Sequence, residues 1–290
     1  MKRIAFLGIG VMGFHIASHL LKKKKKITIY NRTLKKSEKF KKLFNKLDVQ
    51  IAKTPLDAAY NNDIFISCVG NDNDLMEIYF DKNGIFNNIK SNAYVIDHTT
   101  VSPETAKFCF NKFKRKKCNF LDAPVSGGEI GAINGLLSIM VGGENTIFKK
   151  LRPIMNIYSK SLIYMGKSGS GQLAKMVNQI CVSSVIQGLA EGLNFGKKTG
   201  LKLDKLLSAI SNGAAQSWQM ENRSETMWKD KFNFGFMNKW MKKDLEIIKK
   251  IASKKKINIP ITNEILKKYS ILIKNGYENL DTSSLIKLLK

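Results

Sequence analysis

The sequence predicts two domains: an N-terminal α/β domain on a mostly parallel sheet, and an all-α C-terminal domain joined to it by a long helix. Three observations predict this. Short apolar runs alternate with helical patterns from the N-terminus to about residue 166, the rhythm of βαβ units. A Gly-x-Gly-x-x-Gly loop stands between the first apolar run and the first helical pattern. Beyond Gly166 the strand signals vanish and only helical periodicity remains. The expected domains are therefore residues 1–166 and 167–290, with the boundary in Gly166-Lys-Ser-Gly169.

Ile4 to Leu7 reads as a short buried strand, Gly8-Ile9-Gly10-Val11-Met12-Gly13 follows at once, and Ile16, Ala17, Leu20 and Leu21 carry helical spacing. Ile27 to Tyr30 is the second strand. A glycine triplet alone is a weak signal; between strand and helix it is the dinucleotide-binding fingerprint of a Rossmann domain. The first two glycines permit the tight turn and bring backbone N–H groups to a pyrophosphate, and the third lets helix pack on strand. The phosphates would sit at the helix N-terminus, where free N–H groups and the dipole favour anions.

The end of the second strand selects the cofactor. NAD-binding chains place Asp or Glu there, about 20 residues on, against the ribose 2′-hydroxyl. This chain has Asn31-Arg32-Thr33. No carboxylate stands in that stretch to repel a 2′-phosphate, and Arg32 can pair with one unless it is merely a solvated loop charge. NADP is therefore expected over NAD, with NAD possible.

The alternation continues. A helix around Leu56 to Tyr60 precedes a strand at Ile64 to Val69, and Gly70 to Asp74 reads as a polar turn at its ligand-binding end. Tyr94 to Asp97 is the next strand; Ser102 and Pro103 read as N-cap and first residue of a helix. Strands follow at Asn119 to Asp122, Leu137 to Val141 and Leu162 to Tyr164, with a helix from Glu144 to about Met155. After Gly166, helices are expected at 169–198, 203–211, 216–227, 240–253, 261–274 and from Ser283 to the end.

The first of these is unusual. It opens with Gly169-Ser-Gly-Gln-Leu-Ala-Lys175-Met-Val-Asn178-Gln179 and continues, largely apolar and without proline, to about Lys198, which suggests burial on most sides. Lys175, Asn178 and Gln179 share one face. A lysine in such a run is costly unless it has a partner or a task. Taken alone, Lys175 fits a residue that snorkels off a core helix; set beside the cofactor motif, it is a candidate proton-transfer group.

Composition bounds the alternatives. At 290 residues, with 43% apolar and 25% charged residues, the chain has the make-up of a soluble globular protein, and no apolar run reaches the length of a membrane span. Met1-Lys-Arg-Ile-Ala-Phe-Leu7 has a faint signal-peptide look, but Gly8, Gly10, His15 and His19 break it. Cys68, Cys109, Cys118 and Cys181 form no Cys-x-x-Cys pair, which suits reduced thiols in a cytoplasmic protein. His15 and His19 have metal-like spacing but no third ligand, so no metal is expected. The net charge of +26 suggests nucleic acid, yet only five of the 49 basic residues are arginine, the residue that specific readers favour. Weak non-specific adhesion is the expectation, not a specific nucleic-acid partner.

Four segments in order, Gly8-Ile-Gly-Val-Met-Gly13, Asp122-Ala-Pro-Val-Ser-Gly-Gly128, Gly169-Ser-Gly-Gln-Leu-Ala-Lys175 with Asn178, and Lys242-Lys-Asp-Leu245, resemble the β-hydroxyacid dehydrogenases. These include 3-hydroxyisobutyrate dehydrogenase, tartronate semialdehyde reductase and the glyoxylate/succinic semialdehyde reductases. The resemblance spans almost the whole chain; the related 6-phosphogluconate dehydrogenases carry a C-terminal extension that this chain lacks. It implies an active site in a cleft between the two domains, with Lys175 as the catalytic lysine and Asn178 one turn on as a substrate ligand. Ser126, Gly127 and Gly128 would bind the substrate carboxylate. Lys243 would reach the cofactor, with Asp244 orienting it. Thr100, Val69 and Gly70 would also line the cofactor site. The implied reaction interconverts a small carboxylate-bearing aldehyde and its hydroxy acid, in a homodimer or homotetramer.

The chain departs from the family pattern in two places: Gly70 replaces a usual proline, and His98 stands where a small residue is common. His98 reads as a hydrogen-bonded structural group. Trp218, Trp228, Phe232, Phe234, Phe236 and Trp240 read as helical-domain core or subunit interface. Imine reductases share the architecture but usually replace the lysine, and non-catalytic superfamily members lose it; the presence of Lys175 speaks against both.

Overall fold

The computed structural model describes residues 3–23 and 25–289; Met1 and Lys2 of the N-terminal stretch, Lys24, and Lys290 of the expected last helix lie outside the described residues. The chain divides into two compact units, Met1–Lys175 and Met176–Lys290. The division falls inside the long helix, past Gly166, because the first turns of that helix are bonded to strand ends of the first unit.

In the first unit β1 (Ile4–Leu7), α1 (Val11–Lys22), β2 (Ile27–Tyr30), α2 (Leu34–Leu43), β3 (Val49–Ile51), α3 (Pro55–Ala59), β4 (Ile64–Ser67), α4 (Asp72–Phe80), β5 (Tyr94–Asp97), α5 (Pro103–Arg115) and β6 (Asn119–Asp122) alternate as βαβ units. After them come β7 (Val125–Ser126), α6 (Gly128–Asn134), β8 (Leu137–Gly142), α7 (Asn145–Met155) and β9 (Ser159–Gly166). The sheet order is β3-β2-β1-β4-β5-β6-β8-β7, with β9 paired to β8. The strands from β3 to β6 run parallel, β8 is antiparallel to β6 and β7, and β9 is parallel to β8.

Both faces of this sheet are buried, as a parallel sheet requires. Along β1 the side chains alternate. Ile4 and Phe6 join the layer of Ile16, Leu20 and Phe40, and Ala5 and Leu7 join that of Phe65, Tyr79, Val95 and Phe113. The parallel register brings Leu7, Ser67, Asp97 and Asp122 into one row at the carboxyl edge. The strand order reverses between β1 and β4, where open α/β sheets bind ligands.

Several elements differ from expectation. The polar stretch after β4 is mostly helix: Asn71 caps α4, its Oδ1 accepting the Asp74 N–H at 2.9 Å, and Asp72 and Asp74 occupy the first turn where the dipole favours anions. β9 spans eight residues as an outer strand. α2, β3, β7 and α6 carry little periodic signal and were not expected.

The long helix α8 (Ser170–Lys198) begins in the first unit and continues into the second, which adds α9 (Leu203–Ile210), α10 (Trp218–Trp228), α11 (Asn238–Lys255) and α12 (Pro260–Lys274). The last segment, Thr282–Leu289, is a 3₁₀-helix, not the α-helix expected. Ile186, Leu193, Met227, Met241, Leu245, Ile248, Ile265, Tyr269 and Leu285 form the second core. Of the aromatic cluster, Phe232 enters this core and Trp228 and Phe236 pack on it, whereas Trp218 and Phe234 flank the guanidinium of Arg223, which pairs with buried Asp281 at 3.2 Å. α8 is less buried than its composition suggests: Leu173, Val177, Cys181, Val185 and Phe195 are exposed. Among the described residues no helix is long and apolar enough to cross a membrane.

Candidate functional site

The glycine loop has the geometry its spacing implies. Gly8 has φ +101°, and a Cβ there would lie 2.3 Å from the Cys68 carbonyl oxygen. A Cβ on Gly13 would lie 1.9 Å from the Gly8 carbonyl oxygen, so only glycine lets α1 pack against the turn. Gly10 differs: its Cβ position faces open space. Gly10 is also the N-cap of α1, with no side-chain cap bond and no acidic residue in the first turn, so the orphan N–H groups of that turn meet no capping side chain. An uncapped N-terminus beside an open glycine fits the pyrophosphate of a dinucleotide. Ile9, Val11 and Met12 complete the loop and the start of α1.

Asn31 ties the two halves of the βαβ unit together: its Oδ1 accepts the Ile9 N–H at 2.9 Å and its Nδ2 donates to the Thr33 carbonyl at 3.1 Å. It supports the loop, and Thr33 is the N-cap residue of α2. Arg32 is 71% exposed; its Nη1 donates to Asp74 at 2.9 Å, with Glu77 at 4.0 Å. This corrects one premise of the sequence reading. No carboxylate follows β2 in sequence, but α4 brings two beside Arg32 from the neighbouring βα unit.

At the ends of β4 and β5, Thr99 Oγ1 accepts the Val69 N–H at 3.1 Å, fixing the turn that holds Val69 and Gly70. Asp97 Oδ1 accepts from the Ser67 hydroxyl at 2.7 Å and the Thr99 N–H at 3.0 Å. Complete burial lifts the Asp97 carboxyl to about 7 despite these bonds. Thr100, half-buried, follows directly.

His98 is neutral and structural. The Ala123 carbonyl can only accept, so Nδ1–H donates to it at 2.6 Å, and Nε2 accepts the Tyr158 hydroxyl at 3.0 Å. Burial lowers its pKa to about 4. His19 Nε2 bonds the Ala132 and Ile133 carbonyls at 2.9 and 3.0 Å, anchoring α6 to α1. Among the described residues no group of three His, Cys, Asp or Glu could hold a metal.

Ser126 ends β7, paired with Ser138 of β8. Gly127 and Gly128 have φ +118° and +61°, and a Cβ on either would meet no close atom. Backbone conformation, not crowding, requires these glycines.

α8 begins on the same sheet edge. Asp122 accepts the Gly169 and Gln172 N–H groups at 2.8 and 3.2 Å. The Gln172 amide bonds the 99–101 segment. Lys175 is one turn further and only 7% exposed.

In the second unit a hydrogen-bonded chain joins three residues of the family motifs. Asn178 Nδ2 donates to Gln179 Oε1 at 2.9 Å, Gln179 Nε2 donates to Asp244 Oδ2 at 2.7 Å, and Lys243 Nζ lies 3.1 Å from Asp244 Oδ1. Asp244 is fully buried and Lys243 is partly buried, with 18% of its side chain exposed. Sequence reasoning missed Gln179, Gln172 and Asp97 as members of these networks. The signal for the two glutamines was present: polar residues at three- and four-residue spacing from Lys175 in an otherwise apolar helix.

Residues 3–166 match the family model described as the NAD binding domain of 6-phosphogluconate dehydrogenase, and residues 169–289 match the one described as NAD-binding of NADP-dependent 3-hydroxyisobutyrate dehydrogenase. The chain is 43% identical over 290 residues to an uncharacterized oxidoreductase of Shewanella frigidimarina, covering 100% of this chain and 99% of the relative. It is 30% identical over 288 residues to 2-hydroxy-3-oxopropionate reductase of Escherichia coli, covering 99% and 97%. The crystal structure of 3-hydroxyisobutyrate dehydrogenase from Salmonella typhimurium superposes with a TM-score of 0.90 at 22% identity, covering 99% of this chain and 100% of that one, a likeness of fold.

Proposed function

Because the chain belongs to the β-hydroxyacid dehydrogenase family and is an NAD(P)-dependent oxidoreductase acting on CH–OH groups, we propose that it interconverts a short 3-hydroxy carboxylic acid and its semialdehyde, with Lys175 as the proton-transfer group. The observation that carries this is the place of Lys175: 7% exposed, in the opening turns of a helix hydrogen-bonded to the strand ends of the dinucleotide-binding unit. A lysine so buried is costly unless its amine has a partner or a task.

The bound nicotinamide would accept or supply the hydride. In the oxidation direction Lys175 Nζ takes the proton of the substrate hydroxyl; in reduction it returns a proton to the carbonyl oxygen. Asn178 hydrogen-bonds the substrate, held in orientation by Gln179. Ser126 and the backbone of Gly127 and Gly128 bind the carboxylate, and Lys243 reaches the cofactor. Residues 1–166 hold the cofactor; residues 167–290 shape the substrate pocket and subunit contacts. NADPH is the preferred cofactor through Arg32. A second reading, NAD-linked oxidation of 3-hydroxyisobutyrate, draws on Asp74 and Glu77 beside Arg32, which weaken that preference. The exposed apolar residues Leu173, Val177, Val185 and Phe195 along α8 support a homodimer or homotetramer, which we place in the cytoplasm; a monomer in sedimentation at micromolar concentration would refute the assembly.

The deciding experiment follows NADPH and NADH oxidation with glyoxylate, succinic, methylmalonate and tartronate semialdehydes, for wild type and Lys175→Ala. Turnover that the substitution abolishes supports the proposal. Tight NADPH binding without turnover of any aldehyde points instead to a non-catalytic cofactor-binding module, and full activity in Lys175→Ala refutes the role of the lysine.

A further inference from the structure

Two buried side chains that the proposed chemistry leaves without a role, one at the end of β6 and one in α8, tie the start of α8 to the ends of two adjacent strands. The first is Asp122, fully buried at the end of β6. Its Oδ1 accepts the Gly169 N–H at 2.8 Å and the Ser168 hydroxyl at 3.2 Å, and its Oδ2 accepts the Gln172 N–H at 3.2 Å. The carboxylate therefore does the work of a helix N-cap from a segment 47 residues away. Two glycines wall it in: a Cβ on Gly142 would stand 2.7 Å from both carboxylate oxygens, and one on Gly171 would stand 2.9 Å from Oδ2. The second is Gln172, also fully buried. Its Nε2 donates to the Thr99 carbonyl at 2.8 Å and its Oε1 accepts the Val101 N–H at 3.2 Å. Both ends of the amide are committed to one backbone segment, and Thr100 lies between its two partners.

A local Ser, Thr or Asp could cap α8 without burying a charge. Capping it from β6 costs desolvation, which raises the Asp122 pKa even against its hydrogen bonds, and ties the helix to the sheet. Gln172 ties the same turn to the exit of β5. With ties to two strands the helix can neither slide along its axis nor turn about it relative to Thr100. Lys175 follows Gln172 by three residues and shares its side of the helix.

We propose that Asp122 and Gln172 are positioning residues, a two-strand clamp that sets the lysine against the cofactor-side loop at 99–101. This rests on the reading of Lys175 as the proton-transfer group. Proton transfer depends steeply on placement: a misplacement of about 1 Å costs on the order of 10²-fold in rate.

The test compares Gln172→Leu, Gln172→Glu and Asp122→Asn with wild type and Lys175→Ala, measuring NADPH affinity by fluorescence, kcat and KM against pH, and the solvent deuterium isotope effect. The expected result for Gln172→Leu is NADPH affinity within about threefold of wild type, kcat lower by roughly 10²-fold, and a larger solvent isotope effect as proton transfer becomes rate-limiting. Gln172→Glu keeps the acceptor for Val101 but donates to the Thr99 carbonyl only when protonated, so its kcat recovers as pH falls while that of Gln172→Leu does not. Asp122→Asn keeps one acceptor oxygen but sets an NH2 donor against the N–H of either Gly169 or Gln172, and lowers kcat likewise; if it does not fold, the Gln172 pair decides. Wild-type kcat in Gln172→Leu beside an inactive Lys175→Ala overturns the clamp alone. A lowered kcat with an unchanged isotope effect and no recovery in Gln172→Glu also overturns it, leaving a merely structural role. Full activity in Lys175→Ala overturns the lysine reading instead, and the purpose of the clamp with it.

Discussion

Replacing Arg32 by alanine tests how this chain chooses between its two possible cofactors. The guanidinium is 71% exposed and bonded to Asp74 at 2.9 Å, with Glu77 at 4.0 Å. An exposed pair of this kind contributes about 0–1 kcal/mol, so a 2′-phosphate can draw Arg32 away from Asp74 at small cost. The charge-assisted bonds it then forms stabilise the complex by about 1.5–3 kcal/mol. The difference, about 1–2 kcal/mol, corresponds to roughly 5–30-fold in kcat/KM. Arg32→Ala should lower kcat/KM for NADPH by that factor and leave NADH within about twofold, since NADH offers no phosphate there. Asp74→Asn removes the competitor and should raise NADPH kcat/KM by up to about fivefold, less at high salt as screening grows. The assay is initial-rate loss of reduced-nicotinamide absorbance at saturating aldehyde, with each cofactor at two ionic strengths. An NADPH-to-NADH ratio that stays at the wild-type value in Arg32→Ala would refute the assignment.

Three further substitutions test the site and the fold beneath it. Asp97, lifted to about 7, contributes stability that is full below its unfolded value of 3.8 and is lost as pH rises towards 7, about 4 kcal/mol in all. His98, lowered to about 4, contributes stability that is full above 6.5 and is lost as pH falls towards 4, about 3 kcal/mol. The two oppose each other between pH 4 and 6.5, so Asp97→Asn should expose the His98 slope: its urea midpoint should climb with pH through that window more steeply than that of wild type, and parallel curves would count against the burial argument. Gly13→Ala and Gly10→Ala separate a packing glycine from a ligand glycine. The first drives a Cβ to 1.9 Å from the Gly8 carbonyl oxygen and should cost about 1–3 kcal/mol, seen as a lower Tm. The second meets no protein atom and should keep its Tm while NADPH affinity falls; wild-type affinity in Gly10→Ala would place the pyrophosphate elsewhere.

What could be read before folding was local. The glycine loop, the apolar runs of β1, β2, β4, β5 and β6, the Ser102-Pro103 cap and the long helix carrying Lys175 each leave a local pattern in the chain, so pattern and spacing were enough to place them. The motifs also identified the family, since four segments in order are a property of the linear chain. Tertiary structure decided everything that needed residues distant in sequence. It set Asp74 and Glu77 beside Arg32, turned Asn31 into a brace for Ile9, and bonded Asp122 to the start of α8. It also linked Asn178 to Lys243 through Gln179 and Asp244. It exposed the apolar residues of α8 that composition alone would have buried. The physical reason is the same in each case: hydrogen-bond satisfaction and burial are set by which strand ends and helix turns meet, and periodicity records only that a residue faces inward, not what it faces.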